Sequence, residues 1–392
     1  MLVDEKIKQA IQILQELRID MWMTFVRELS TLSDPRSEFY LGTGCTWPSA
    51  FIITAGGDTI AIVGSLDAAN IESHGHYKRV ISYKDSIKKV LLNTIQQLDP
   101  KKIAINFSQS DVMADSLSHG MYLILVEYLT DTPYLSRLMS SETILAALRG
   151  RKSGEEISRI RKAIEKTLEI FDKVTRFIKP GLTEKQIASY IQTIMQKENL
   201  LPAWEPTQCP AVFTGPESAG AHADPTDREI KPGHILNIDF GVKINDYVSD
   251  LQRTWYFLQK GENSPPEVVQ KGFKTVYDAI QLAAKGLKPG VEGWVVDKIA
   301  RDYIVNWGYE EFPHALGHQV GRSAHDGSAL LCPKWERYKD LPYLKVEENQ
   351  VYTLEPRLTV PGYGVATIEE IVVVRKDGVE FLSTPQTEII CI

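Results

Sequence analysis

Twice in the second half of this chain, an apolar, β-rich stretch carries a carboxylate, turns sharply and returns with another. The first stretch is Ile235-Leu236-Asn237-Ile238-Asp239-Phe240-Gly241-Val242, which meets a turn at Ile244-Asn245 and comes back through Tyr247-Val248-Ser249-Asp250. The second is Val351-Tyr352-Thr353-Leu354-Glu355, which turns at Pro361-Gly362-Tyr363 and comes back through Val365-Ala366-Thr367-Ile368-Glu369. Each pattern specifies an antiparallel hairpin. If residues 243 and 246 close the first turn, Asp239 and Asp250 face each other on one side of the hairpin, with Cβ atoms about 5 Å apart. With Gly362 at the centre of the second turn, Glu355 and Glu369 face each other in the same way. A bulge in either hairpin would break this geometry. Carboxylates that close repel unless a proton or a cation separates them. One such pair is explained by a salt bridge, whereas two point to a metal.

Between the hairpins lies Phe312-Pro313-His314-Ala315-Leu316-Gly317-His318-Gln319-Val320-Gly321-Arg322-Ser323-Ala324-His325-Asp326. Its glycines permit close approach of backbone to a site. Its three histidines supply one ligand and one or two groups that handle protons or bind substrate. Four carboxylates and one imidazole make a largely hard-oxygen set, suited to Mn, Co, Fe or Zn rather than copper or an iron–sulfur cluster. Two divalent ions about 3.5–4 Å apart can share a water, lower its pKa and polarise a carbonyl.

The chain around these hairpins contains a short repeat. Ile178-Lys179-Pro180-Gly181-Leu182 recurs as Leu287-Lys288-Pro289-Gly290-Val291, and each copy precedes an apolar helical pattern. Those patterns are Ile187, Tyr190, Ile191, Ile194 in one half and Val295, Ile299, Tyr303, Ile304 in the other. A helix–helix–hairpin unit used twice would bring the two hairpins together. Upstream, helices are expected over residues 5–18 and 84–98, and strands over 51–54, 59–63 and 102–106, around a turn at Gly56-Gly57-Asp58. This N-terminal α/β region contains His74, His76 and His119, spaced as solvated or structural residues. The composition turns basic at Leu148-Arg149-Gly150-Arg151-Lys152-Ser153, and a long amphipathic helix then starts with Ile157, Ile160, Ala163 and Ile164. The expected boundary separates domains 1–150 and 151–392.

Bulk properties narrow the function classes. A net charge of -7 spread along 392 residues argues against a nucleic-acid partner. The absence of an eighteen-residue apolar run argues against a membrane span. The opening Met1-Leu2-Val3-Asp4-Glu5-Lys6 lacks the apolar core of a secretory signal. Cys45, Cys209, Cys332 and Cys391 are scattered without a CxxC pair, as in a reduced cytoplasmic protein.

The ordered set Asp239, Asp250, His318, Glu355 and Glu369 resembles the ligands of the pita-bread metallopeptidases, which include methionine aminopeptidase, aminopeptidase P and prolidase; the two-domain build also resembles creatinase, which does not use the metal set. The resemblance implies an α/β N-terminal domain followed by an α+β pita-bread catalytic domain with two pseudo-symmetric halves. Most similar is the Xaa-Pro dipeptidase type, a homodimer that cleaves short proline-containing peptides with two divalent metal ions, Mn favoured, through a metal-bridging hydroxide. Carried over by position, the five residues hold the metals, Asp250 and Glu369 bridge them, and Glu355 shuttles the proton. His325 matches the histidine near the scissile carbonyl, and His222, in Ser218-Ala219-Gly220-Ala221-His222, the upstream pocket histidine. His314 is a further pocket candidate. Four positions depart from the pattern: Gln319 follows His318 where relatives have glycine, Arg357 follows Glu355-Pro356 where they have glycine, Thr367 replaces an arginine common in proline-specific enzymes, and Glu370 replaces Asp. Arg322 and Arg357 are candidates to bind a substrate carboxylate in place of that arginine. The alternatives are a metal-dependent lyase or small-amide hydrolase on the same fold and, more distantly, a binding protein that has kept the metal shell.

Overall fold

The computed structural model describes residues 2–29, 41–109, 111–217 and 224–392. The chain divides into two compact units, Met1–Arg149 and Gly150–Ile392. Among the described residues no helix is long and apolar enough to cross a membrane.

The first unit is built on one six-stranded sheet. Its strands are β1 (Met21–Val26), β2 (Ser49–Thr54), β3 (Thr59–Gly64), β4 (Arg79–Tyr83), β5 (Ile103–Ile105) and β6 (Leu138–Ser140), in the order β4-β3-β2-β1-β5-β6. Strands β1 to β3 form an antiparallel meander, and β4, β5 and β6 add in parallel. Alternate residues of a strand point to opposite faces. Trp22 and Val26 therefore enter one core with Ile13, Leu14 and Leu148, while Met21, Met23 and Phe25 enter another with Leu91, Ile95 and Leu125. Helices α1 (Leu2–Leu17) and α5 (Glu142–Gly150) supply the first core. Helices α3 (Ile87–Leu98) and α4 (His119–Leu129) supply the second, and the short α2 (Ala68–His74) lies between β3 and β4 in sequence. Strands β2, β3 and β5 occupy the stretches expected from sequence, whereas β1, β4 and β6 were not anticipated. His76 bonds Asp4 at 2.7 Å, a structural role.

The second unit opens with α6 (Gly154–Phe177), whose start is fixed by a reciprocal capping box between Ser153 and Glu156. Helix α7 (Glu184–Lys197), the short β7 (Leu201–Pro202) and β8 (Ala211–Thr214) lead to β9 (Ile235–Phe240), β10 (Val242–Ile244), β11 (Tyr247–Val248) and β12 (Leu251–Tyr256). Helices α8 (Glu267–Gly286) and α9 (Gly293–Asn306) then precede β13 (Val351–Leu354), β14 (Arg357–Val360), β15 (Gly364–Thr367), β16 (Glu370–Arg375), β17 (Gly378–Phe381) and β18 (Ile390–Cys391). One sheet runs β18-β12-β9-β8 and another β13-β16-β17, with β14-β15 and β11-β10-β7 as smaller ladders.

The short sequence repeat has a structural counterpart. Gly181 and Gly290 adopt φ of 88° and 87°, a left-handed conformation for which glycine is suited. Their amides donate to Ile230 O and Val346 O at 2.9 and 2.8 Å. Two residues later, Thr183 and Glu292 form isolated antiparallel bridges to Glu229 and Lys345. The repeat thus marks the same turn, the same tether and the same helix start in both halves of the unit.

Candidate metal centre and its substrate pocket

The first hairpin differs from its expected register. Lys243 pairs with Val248, and Ile244 with Tyr247, so the turn is Asn245-Asp246. Both turn residues have positive φ, 49° and 67°, which a hairpin with a two-residue type I′ turn requires. The sequence expectation placed Ile244 inside the turn, and a β-branched residue resists that conformation. Asp239 consequently faces Gln252, not Asp250. Because the slip moves each pairing by two positions along one strand, Asp250 stays on the same face as a diagonal neighbour of Asp239. Asp250 lies beyond the Phe240–Leu251 pair, opposite Gly241. A Cβ on Gly241 would lie 1.9 Å from the Ser249 carbonyl oxygen, so this close approach of backbones demands glycine.

The second hairpin has the expected register. Leu354 pairs with Glu370, and Arg357 with Thr367, which puts Glu355 opposite Glu369 at a break between two ladders. The hairpins join there, since the Glu369 amide donates to Gln252 O at 3.2 Å. The third contributor is the segment around His318, held against β13 by bonds from Glu355 N to Leu316 O at 2.8 Å, Thr353 N to His318 O at 2.9 Å and Val320 N to Val351 O at 3.0 Å.

These constraints bring Asp239, Asp250, His318, Glu355 and Glu369 to the wall of one cavity. His318 Nε2 lies 3.3 Å from Glu355 Oε1, 3.7 Å from Asp250 Oδ2 and 4.0 Å from Glu369 Oε1. Ligand atoms of Asp250, His318 and Glu369 all fall within 4.8 Å of one another. Burial, then repulsion from Asp250 and Glu355, raises the pKa of Asp239 well above the usual carboxylate value. Burial, then the charges of Asp250, Glu355 and Asp239, does the same to Glu369. Burial pushes Asp250 up to about 7. For His318, burial opposes the charged form, but bonding to Glu355 and the charges of Glu355 and Asp250 prevail and push it up to about 9. Burial would raise Glu355, and the same contact with His318 holds it low instead.

The donor set fits divalent cations. Asp239 Oδ1 and Glu369 Oε1 are buried without a hydrogen-bond partner among the described residues. Buried acceptors ordinarily have partners, and a cation satisfies these oxygens while cancelling their mutual repulsion. Four carboxylates and one imidazole are the ligand types that hold such ions.

The rest of the cavity contains both anticipated and unanticipated residues. His325 stands edge-on to His318, ring centroids 4.2 Å apart, and faces the same space. His314 lines an adjoining lobe with His325, Glu355, Arg357 and Thr367, and burial lowers its pKa. His222 lies outside the described residues. Arg322 sits apart, 3.6 Å from Asp246 and over the Tyr247 ring at 5.4 Å. Gln319 donates to Ala329 O at 3.2 Å and packs where a Cβ on Gly327 would meet it at 2.3 Å, so it braces its own loop. Glu370 forms a buried pair with Arg253 at 3.1 Å.

Gln252 was not anticipated. Its Nε2 donates to Glu369 Oε2 at 3.1 Å and approaches Glu355 Oε2 at 3.4 Å. Its Oε1 accepts from Thr367 Oγ1 at 3.1 Å. The available signal was its position two residues after Asp250, on the same strand face.

The sequence profile of Metallopeptidase family M24 matches residues 158–376, more than half of the chain. The chain belongs to that family. The M24 assignment agrees with full-length likenesses. The crystal structure of an X-Pro aminopeptidase from Thermotoga maritima matches with a TM-score of 0.70 at 25% identity, over 98% of this chain and 99% of that one. An Xaa-Pro dipeptidase from Bacillus anthracis matches over the whole of both chains with a TM-score of 0.73 at 22% identity, a likeness of fold. A Mycoplasma genitalium protein named as a candidate Xaa-Pro aminopeptidase is 29% identical over 303 residues, 74% of this chain and 80% of its own. The architecture of this M24 chain is accordingly the pita-bread fold with an N-terminal α/β domain, and the family implies divalent metal ions.

Proposed function

We propose that this chain is a dinuclear metallopeptidase that hydrolyses the Xaa-Pro bond of dipeptides or short peptides. The observation that carries the reading is the convergence of four carboxylates and His318 on one cavity wall, with the buried Asp239 Oδ1 and Glu369 Oε1 without a hydrogen-bond partner among the described residues. Asp239, Asp250, His318, Glu355 and Glu369 would hold the cations. When bound, the cations supply Lewis acidity to the scissile carbonyl and lower the pKa of the attacking water.

The protein's own groups divide the remaining work. Glu355 borders both lobes of the cavity and accepts the proton of the attacking water. Gln252 anchors Glu355 and Glu369 from one amide and keeps their outer oxygens in place. His325 donates to the oxygen on which charge develops. His314 lines the adjoining lobe at the substrate end of the pocket. Relatives named as Xaa-Pro peptidases support proline as the preferred residue after the scissile bond.

Incubating purified protein with an Xaa-Pro dipeptide, with Mn²⁺ in one sample and chelator in another, tests the proposal by free proline. Release that needs metal is expected. No release by protein that binds two cations per chain would overturn the substrate and leave a lyase or small-amide hydrolase on the same centre.

A further inference from the structure

His318 and His325 meet edge-on at the centre, yet they are held by different means. His318 lies on a segment bonded to β13 on either side of it. Beyond Val320 the chain leaves that ladder, and His325 stands in a stretch, residues 321–330, that is neither helix nor strand. The peptide unit joining His325 to Asp326 is nevertheless fixed at both ends. His325 O accepts from Ser323 Oγ at 2.9 Å, and Asp326 N donates to Gln319 O at 2.8 Å. Because a peptide unit is planar and includes the preceding Cα, these bonds set the direction from which the His325 side chain projects. The Asp326 carboxylate closes the loop further, its Oδ2 accepting from Arg322 N at 2.9 Å.

Lys152 anchors this carboxylate from outside the loop. Its ammonium donates to Asp326 Oδ2 at 3.2 Å and to Asp326 O at 3.3 Å, with the two side chains 0% and 3% exposed. Lys152 is itself fixed by its backbone, whose amide donates to Asn349 O at 2.9 Å just before Ser153 caps α6. Gly321 leaves the necessary room, since a Cβ there would lie 1.8 Å from Asp326 Oδ2 and 2.7 Å from Lys152 Nζ. A buried ion pair often stabilises a fold no better than apolar side chains of similar volume. A satisfied one does fix where its members stand, and here one member is the residue next to His325.

We propose that Lys152 is a positioning residue for His325, the buried Lys152–Asp326 pair holding the loop so that the imidazole stays at the centre beside His318. The proposal rests on the peptidase reading above for what His325 does, and on the loop alone for where it stands.

The test is a double-mutant cycle against His325. Lys152→Met/Asp326→Asn removes both charges, keeps an acceptor for Arg322 N and leaves neither charge buried alone. With an Xaa-Pro dipeptide and Mn²⁺, its kcat is expected to fall about 10- to 100-fold, the scale for misplacing a reacting group by about 1 Å, with KM and the cations bound per chain little changed. In a His325→Ala background the same change should have no further effect, because the group it positions is gone. Asp326→Asn alone, which keeps an acceptor for Lys152 as well, should give a smaller fall in the same direction. An unchanged kcat, or an equal fall without His325, overturns the proposal. A second readout needs no substrate. In Zn²⁺-loaded protein with labelled histidine, the His325 ring resonance, identified by its loss in His325→Ala, should shift in Lys152→Met/Asp326→Asn. A resonance that stays in place overturns the proposal whatever the substrate. Wild type that cleaves no Xaa-Pro dipeptide removes the peptidase reading while the resonance still decides the positioning, so the two fail separately.

Discussion

The two acid hairpins repeat one another along the chain and differ in what stands opposite each acid. In the second, Glu355 and Glu369 share one register position, acid directly opposite acid. In the first, Asp239 faces the neutral amide of Gln252, and Asp250 faces the bare backbone of Gly241. The stagger keeps both aspartates on the site face while freeing one position for a donor. That donor reaches across to both glutamates of the other hairpin. One hairpin therefore concentrates charge and the other restrains it.

The largest effect should come from removing a ligand. His318→Ala and Glu369→Ala are each expected to lose more than the roughly 100-fold typical of changes outside the metal shell, read as metal content per chain and as turnover. A variant that keeps two cations would remove that residue from the centre. Gln252→Ala tests the restraining hairpin and should weaken cation binding by about 10- to 100-fold without abolishing it, measured by metal titration. Unchanged affinity would mean that the amide only fills space. Gln252→Glu adds a fifth acid at the same place and should weaken the metal-free fold further, a result visible by thermal melting.

How much of this was readable in advance depends on which interactions fixed the residue. Glu355 and Glu369 follow from a hairpin centred on Gly362, whose φ of 83° is a strong local requirement. The first turn was misplaced by one residue because Ile244-Asn245 was read in place of Asn245-Asp246, although only the latter pair tolerates positive φ at both positions. The error did not scatter the site, since a slip of two in pairing preserves the face. Gln252 was invisible because its role depends on contacts between hairpins more than a hundred residues apart. In the first unit, β2, β3 and β5 were legible as apolar β-branched runs. Met21–Val26, buried on both faces like β2 and β3, lacks their β-branched run, with methionine at positions 21 and 23, and β4 has half-exposed residues.

The pH dependence of the chelated protein sharpens the same comparison. Asp250 has a folded pKa of about 7, above its ordinary 3.8. Between those values the folded state holds a proton that the unfolded chain releases, so stability falls as pH rises through that window. His318 is raised to about 9 from 6.5, so its contribution is full below 6.5 and is lost as pH rises through 9. Both groups make the metal-free unit weaker in alkali. Thermal melts at about pH 5.5, 7 and 9 should fall in that order without metal, and stabilisation by added Mn²⁺ should grow with pH as the ligands deprotonate. A metal-free protein that strengthens above pH 7 would contradict the cluster's electrostatics.

The smallest effect isolates the register itself. Asn245 occupies the left-handed region at φ 49° in the turn that staggers the aspartates, and a β-branched side chain there costs about 1–2 kcal/mol. Asn245→Val should therefore lower Tm by roughly 2–8 °C in a unit of this size if the turn keeps its place. Metal affinity should change little in that case, because the Phe240–Leu251 and Asp239–Gln252 pairs lie beyond the turn in an intact ladder. If Asn245→Val instead weakens metal binding as severely as Gln252→Ala, the turn sets the register and the ladder does not. A type I′ turn engineered one residue earlier would then move Asp250 directly opposite Asp239 and displace the amide from both glutamates.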